Sequence, residues 1–122
     1  MREIKFRIWD KLTKKMFIWD DLSKHNIPSN YKDCFEIMQF TGLKDKNGKE
    51  IYEGDIVNAC LIYHGEPQKP SFKAKIMYNE HIAAWQISYL NMNDIFVNDA
   101  INLRYCLEII GNIHQNPELL NN

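Results

Sequence analysis

The chain has 122 residues, which suits one domain or one small domain with an arm. Apolar residues make up 45%, too many for a disordered chain, and a formal net charge of −1 gives no global sign of a nucleic-acid or membrane partner. The three cysteines, Cys34, Cys60 and Cys106, are odd in number, widely spaced and free of any CxxC, which predicts packed, unoxidised thiols in a reducing compartment.

The opening "MREIKFRIWD" is charged from its second residue, unlike a signal peptide. No apolar run approaches the ~20 residues of a membrane span. A soluble, cytoplasmic protein without a membrane partner is expected. In "IKFRIW", Ile4, Phe6 and Ile8 alternate with Lys5, Arg7 and Trp9, a period of two that predicts a strand. A polar turn and "MFIW" follow, with Phe17 and Trp19 on one face, completing an N-terminal hairpin. Residues 20–34 hold Pro28 and little periodicity, and read as a loop and the best boundary in the chain. The expected division is therefore an arm and loop over 1–34 and a β domain over 35–122.

Residues 35–43 predict a strand that returns through Lys49 to Tyr52. The turn between them contains Asn47-Gly48, the strongest short hairpin signal, and a type I′ turn with φ > 0 at both positions is expected. Gly54 and Asp55 mark a second tight turn into a strand from Ile56 to Tyr63. Residues 72–78 and 83–90 predict two more strands by alternation. Residues 91–106 predict a turn with a short helix. Residues 107–113 predict a last strand interrupted at Gly111, and Pro117 opens a helical turn. Six or seven short strands joined by turns predict a small, mainly β barrel or sandwich.

Known site patterns fail against these residues. A phosphate-binding loop needs four residues between its glycines and Ser or Thr after the lysine, but five separate Gly42 from Gly48 and Glu50 follows Lys49. A calcium loop with Gly48 sixth would begin at Leu43 and end at Gly54, neither of which ligates through a side chain. Glu50, Glu53 and Asp55 could form an acidic catalytic cluster. The alternative, which we favour, is that Asp55 caps its own turn while the glutamates are solvated. His25, His64, His81 and His114 are scattered, and no GxSxG occurs. No catalytic residue, metal site or cofactor is expected.

Charge is uneven along the chain. Residues 1–15 carry six basic side chains against Glu3 and Asp10, giving +4, and residues 80–122 carry Arg104 against five acidic ones, giving −4. Either both ends are solvated or they attract each other, within a chain or between chains. The interleaved basic and aromatic residues of the hairpin, Arg2, Lys5, Arg7, Trp9, Lys14, Lys15, Phe17 and Trp19, are the candidate interaction set. They could stack bases and hold phosphates, or form a packed hairpin with its lysines in water.

Three phrases, "REIKFRIWD", "MQFTGLKDKNGKEIYEGDIV" and "EIIGNIHQNPELL", resemble the YopX family of bacteriophage and prophage proteins in sequence and in order. The resemblance implies an N-terminal segment and an SH3-like β barrel or roll, an oligomer, and no established activity or catalytic residues. "YEGDIV" is also similar to the opening of many SH3-like barrels, where Gly-Asp turns the chain into a strand. Together these readings lead to a non-enzymatic phage accessory protein that associates with itself or with a host or phage protein. The alternative is a nucleic-acid-binding module that uses the N-terminal hairpin.

Overall fold

The computed structural model describes residues 4–18, 34–81, 83–89, 98–100 and 105–120. Its first sheet has the order β2-β1-β3-β4, with β1 Phe6–Asp10, β2 Lys15–Ile18, β3 Phe35–Lys44 and β4 Glu50–Tyr52. The second contains β5 Asp55–Tyr63, β6 Glu66–Pro67, β7 Phe72–Asn79, β8 Ala84–Tyr89, β9 Asn98–Ala100 and β10 Tyr105–Asn112. Its order is β10-β5-β7-β8-β9, and β6 pairs with β5. Both sheets are antiparallel throughout and form a small barrel-like, mainly β fold, as the alternation predicts.

The hairpin docks along β3, from Phe6 opposite Gln39 to Asp10 opposite Phe35. Asp10 organises its turn, accepting from the Leu12 and Thr13 N–H groups and from the Thr13 hydroxyl. Alternation in β1 is as predicted, yet both faces are covered: Ile8 and Trp9 are each buried. Ile4 lies outside the strand and is 70% exposed. Of the expected loop 20–34, only Cys34 falls among the described residues.

The turn after β3 corrects one expectation. Lys44 pairs with Glu50, so the connection is residues 45–49 rather than two residues. Gly48 has φ +83°, but Asn47 is not among the residues with positive φ. The cause is Asp45, which is buried and takes over the turn. Its Oδ1 accepts from the N–H groups of Asn47 and Lys49, each at 2.9 Å, and its carbonyl accepts from Gly48 at 3.0 Å. A side chain that satisfies two backbone donors offers the chain an alternative to a type I′ turn.

The second turn fits its expectation. Gly54 takes φ +88°, and its N–H and carbonyl bond outside the turn, to Ile76 and Ile113. Ile51, Val57, Ala59, Ala74, Ile76, Ile87 and Leu107 form the core beyond it, with Phe72, Trp85, Tyr105 and Ile109 packed around them. Within 91–106, Asn98–Ala100 is a strand paired with β8 where a short helix was expected, and residues 91–97 and 101–104 lie outside the described set. The expected break at Gly111 is a bulge after Ile109. A Cβ at Gly111 would lie 2.6 Å from Asn116 Oδ1, so the bulge and the C-terminal 3₁₀ turn Pro117–Leu120 meet where only glycine fits.

Candidate interaction site around the N-terminal hairpin

The hairpin is anchored through the side of β1 that carries Arg7 and Trp9. Arg7 shares a face with its register partner Met38, which is buried, and its own side chain is 13% exposed. Its Nη2 donates to Asp55 Oδ1 at 2.6 Å, and the guanidinium carbon lies 4.8 Å from the Tyr52 ring centroid. Asp55 opens β5 and is 1% exposed, and its Oδ2 accepts from the Tyr52 N–H at 2.8 Å. It does cap its own turn, and it also holds Arg7. Burial pushes the Asp55 carboxyl above the usual carboxylate range, with Arg7 and the Tyr52 N–H opposing the shift. Arg7 Nε is buried and has no hydrogen-bond partner, so the anchor is electrostatically incomplete.

The neighbouring cations are also engaged. Lys5 Nζ lies 2.8 Å from Glu50 and 5.6 Å from the Phe40 ring centroid, and Lys11 pairs with Glu36 at 2.9 Å. These pairs run to residues 36, 50 and 55 rather than to the acidic stretch beyond residue 80. Trp9 stacks on His114, with centroids 5.6 Å apart and planes 17° from parallel. Burial lowers the His114 pKa there. Of the remaining candidates, Phe17 is half-buried, Lys14 and Lys15 are exposed at the turn, and Arg2 and Trp19 lie outside the described residues.

Two grooves lie near these contacts, one bordered by Arg7 and one beside His114. One, of about 340 Å³, is lined by Arg7, Glu50, Asp55 and the side-chain amides of Asn112, Gln115 and Asn116. The other, of about 330 Å³, runs between β3 and β7 and is lined by Glu36, Ile37, Met38, Glu53, Met77 and His114, among others. The supposed acidic cluster is thereby divided: Glu50 and Asp55 line the first groove and Glu53 the second. Burial pushes the Glu53 carboxyl up, and the nearby charge of Glu36 adds to the shift. Ile37 is 55% exposed beside the second groove, and Leu12 is 60% exposed at the hairpin turn next to Lys14 and Lys15.

Sequence reasoning missed Asp45, whose Oδ2 reaches across 64 positions to accept from the Ile109 N–H at 3.0 Å. It also missed the Arg7–Asp55 and Trp9–His114 contacts. The one available signal was the Gly-Asp placement at a strand opening, which marks Asp55 as structural without naming its partner. Among the described residues, no group of three or more His, Cys, Asp and Glu side chains could hold a metal, and no helix is long and apolar enough to cross a membrane.

The chain is similar to protein EF1440 from Enterococcus faecalis, whose crystal structure superposes with a TM-score of 0.61 at 29% identity, covering 99% of this chain and 100% of that one. It is also similar in fold to protein YopX from Bacillus subtilis, with a TM-score of 0.60 at 22% identity and 98% of each chain covered. No curated protein matches. The family model described as YopX protein matches residues 24–121, which take in β3 to β10 and the turns at Gly48 and Gly54, and the chain therefore belongs to the YopX family.

Proposed function

We propose that this protein is a non-enzymatic interaction module of a phage or prophage that works by self-association in the host cytoplasm. The observation that carries the reading is a complementary pair of exposed features. The β1–β2 turn presents Leu12 beside the exposed cations Lys14 and Lys15, while the groove between β3 and β7 presents Ile37 and Glu53, with Lys75 also in its lining and Glu36 already paired with Lys11 of the same chain. An apolar residue beside two lysines suits an apolar wall that carries the Glu53 carboxylate, and exposed apolar surface of this kind commonly marks an interaction site. The turn of one copy in the groove of another is the contact we infer.

The nucleic-acid reading has less support from the geometry. Lys5, Arg7 and Lys11 are paired with carboxylates, and Trp9 is buried on His114, so the basic and aromatic groups do not form an open stacking platform. A host or phage protein in the same groove is the other possible occupant.

Sedimentation and light scattering of the full chain test the proposal. A self-associating species should dissociate in the double variant Lys14→Glu, Lys15→Glu and in the single variant Glu53→Lys, and should return when the two variants are mixed. A monomer at all concentrations, or association unaffected by both reversals, would overturn it. A salt-dependent gel shift by the wild type that the reversal at Lys14 and Lys15 abolishes would favour nucleic acid instead.

A further inference from the structure

Cys60 on β5 and Cys106 on β10 are direct partners across the antiparallel ladder. The Leu107 carbonyl and the Ile109 N–H turn outward, to Lys46 and to Asp45. The alternate residues Cys106 and Glu108 therefore direct their backbone groups at β5, which makes Cys60 and Cys106 a hydrogen-bonded pair. Such partners lie about 5.5 Å apart at Cα, within the range that disulfides span.

Directly opposite side chains share one face of a sheet. Ala59 and Leu107, the next residues along, point into the core. The two thiols consequently lie together on the other face, both free and both half-buried. Cys60 Sγ already sits 3.8 Å from the carbonyl oxygen of Cys106. The ion pair of Lys46 and Glu108, at 2.6 Å, flanks them, and burial and the adjacent Cys106 raise the Cys60 thiol pKa against the small opposing effect of that cation. Cys34 lies apart from this pair, immediately before β3 of the other sheet.

We propose that Cys60 and Cys106 are a redox modification site, closing to a cross-strand disulfide when a small-molecule disulfide of the glutathione type serves as oxidant. One thiolate attacks a sulfur of the oxidant, forms a mixed disulfide and expels one glutathione thiolate. The second cysteine, as thiolate, attacks the protein sulfur of that mixed disulfide and expels the other. The protein loses two protons and two electrons, and the oxidant becomes two thiols. Opposite Cβ atoms lie about 4.5–5.5 Å apart in a sheet, whereas a disulfide brings them to about 3.8 Å. Closure therefore draws the strands together by roughly 1 Å, and a bond held under such strain is readily reduced. The dithiol is the resting form in a reducing compartment, and the disulfide forms when that compartment turns oxidising.

Oxidised glutathione added to the purified full chain provides the test, read by intact mass and by a non-reducing peptide map. The expected product has lost two hydrogens, with the peptides containing Cys60 and Cys106 joined, and a dithiol reductant reverses it. Cys34→Ser should behave identically. Cys60→Ser should lose the linkage and retain a single glutathione on Cys106. Because the wild type alone supplies the decisive map, a poorly folded variant does not blunt the test. Separate glutathione adducts on both cysteines without linkage, or a disulfide to Cys34 or to a second chain, would overturn the proposal.

Discussion

Replacing Arg7 by methionine isolates the anchor of the N-terminal hairpin. The methionine fills much of the same space but leaves Asp55, 1% exposed, with the Tyr52 N–H as the only remaining partner shown for its carboxylate. Removing one partner of a buried ion pair costs about 3–5 kcal/mol, because the other charge stays buried and uncompensated. Loss of the guanidinium contact with Tyr52, on the order of 0.5–2 kcal/mol, is part of the same change and does not simply add. A domain of this kind has about 5–15 kcal/mol in total, so the variant should sit near the edge of folding.

The dependence on pH supplies a second signature. The Asp55 pKa is raised from 3.8 in the folded protein, so the folded state holds the proton more tightly than the unfolded chain does. That contribution is fully present below 3.8 and is lost as pH rises through the folded pKa. Without Arg7, two of the influences that lower this pKa disappear and it rises further. The stability gap between wild type and Arg7→Met should therefore be widest at neutral pH and narrow on acidification. Urea denaturation at about pH 7 and about pH 4.5 measures both quantities. A gap under about 1 kcal/mol at neutral pH, or one that does not change with pH, would refute the reasoning.

Gly48→Val meets no atom within 4 Å at Cβ, so its cost is purely conformational, on the order of 1–3 kcal/mol in chemical denaturation. Gly111→Ala has the opposite cause, a Cβ 2.6 Å from Asn116 Oδ1, and hydrogen exchange should show faster opening at Asn112 and Asn116. Burial raises the Asp45 pKa, but hydrogen bonds from Ile109, Lys49 and Asn47 outweigh it and the net shift is downward. Its contribution is present above 3.8 and lost as pH falls through the folded value, so the difference between wild type and Asp45→Asn should shrink in strong acid. Lys5→Ala breaks a pair about one-third exposed on each side and should cost less than about 1 kcal/mol in the same melts.

The strands were legible where alternation is strong, as in Phe72–Asn79 and Ala84–Tyr89, because successive strand residues point to opposite faces. The Gly54 turn was legible because glycine answers a backbone demand that is local. The Asn47-Gly48 turn was misread because its geometry is set by Asp45, two residues earlier, and by an Ile109 N–H that comes from another sheet. Asn98–Ala100 carries no strand signal of its own and is a strand through its pairing with β8. For Arg7 and Trp9 the sequence left two readings open, a base-stacking surface or a packed hairpin, and named no partner for either residue. A strand covered on both faces has no polar side to reveal, and partners 48 positions apart leave no periodicity between them.

The placement of β1 between β2 and β3 carries a consequence for biosynthesis. Chains emerge N-terminus first at about 5–20 residues per second, while a hairpin closes in about 1–10 μs. β1 and β2 therefore meet almost at once, but a lone two-stranded unit is marginal in water. Its other neighbour, β3, begins at Phe35, and the carboxylate that receives Arg7 arrives only at residue 55. For seconds the nascent chain holds Arg7 without Asp55 and Trp9 without His114. His114 follows later still. β1 is thus made well before either group that secures it, and a chain halted before Asp55 would hold the hairpin with neither of its anchors.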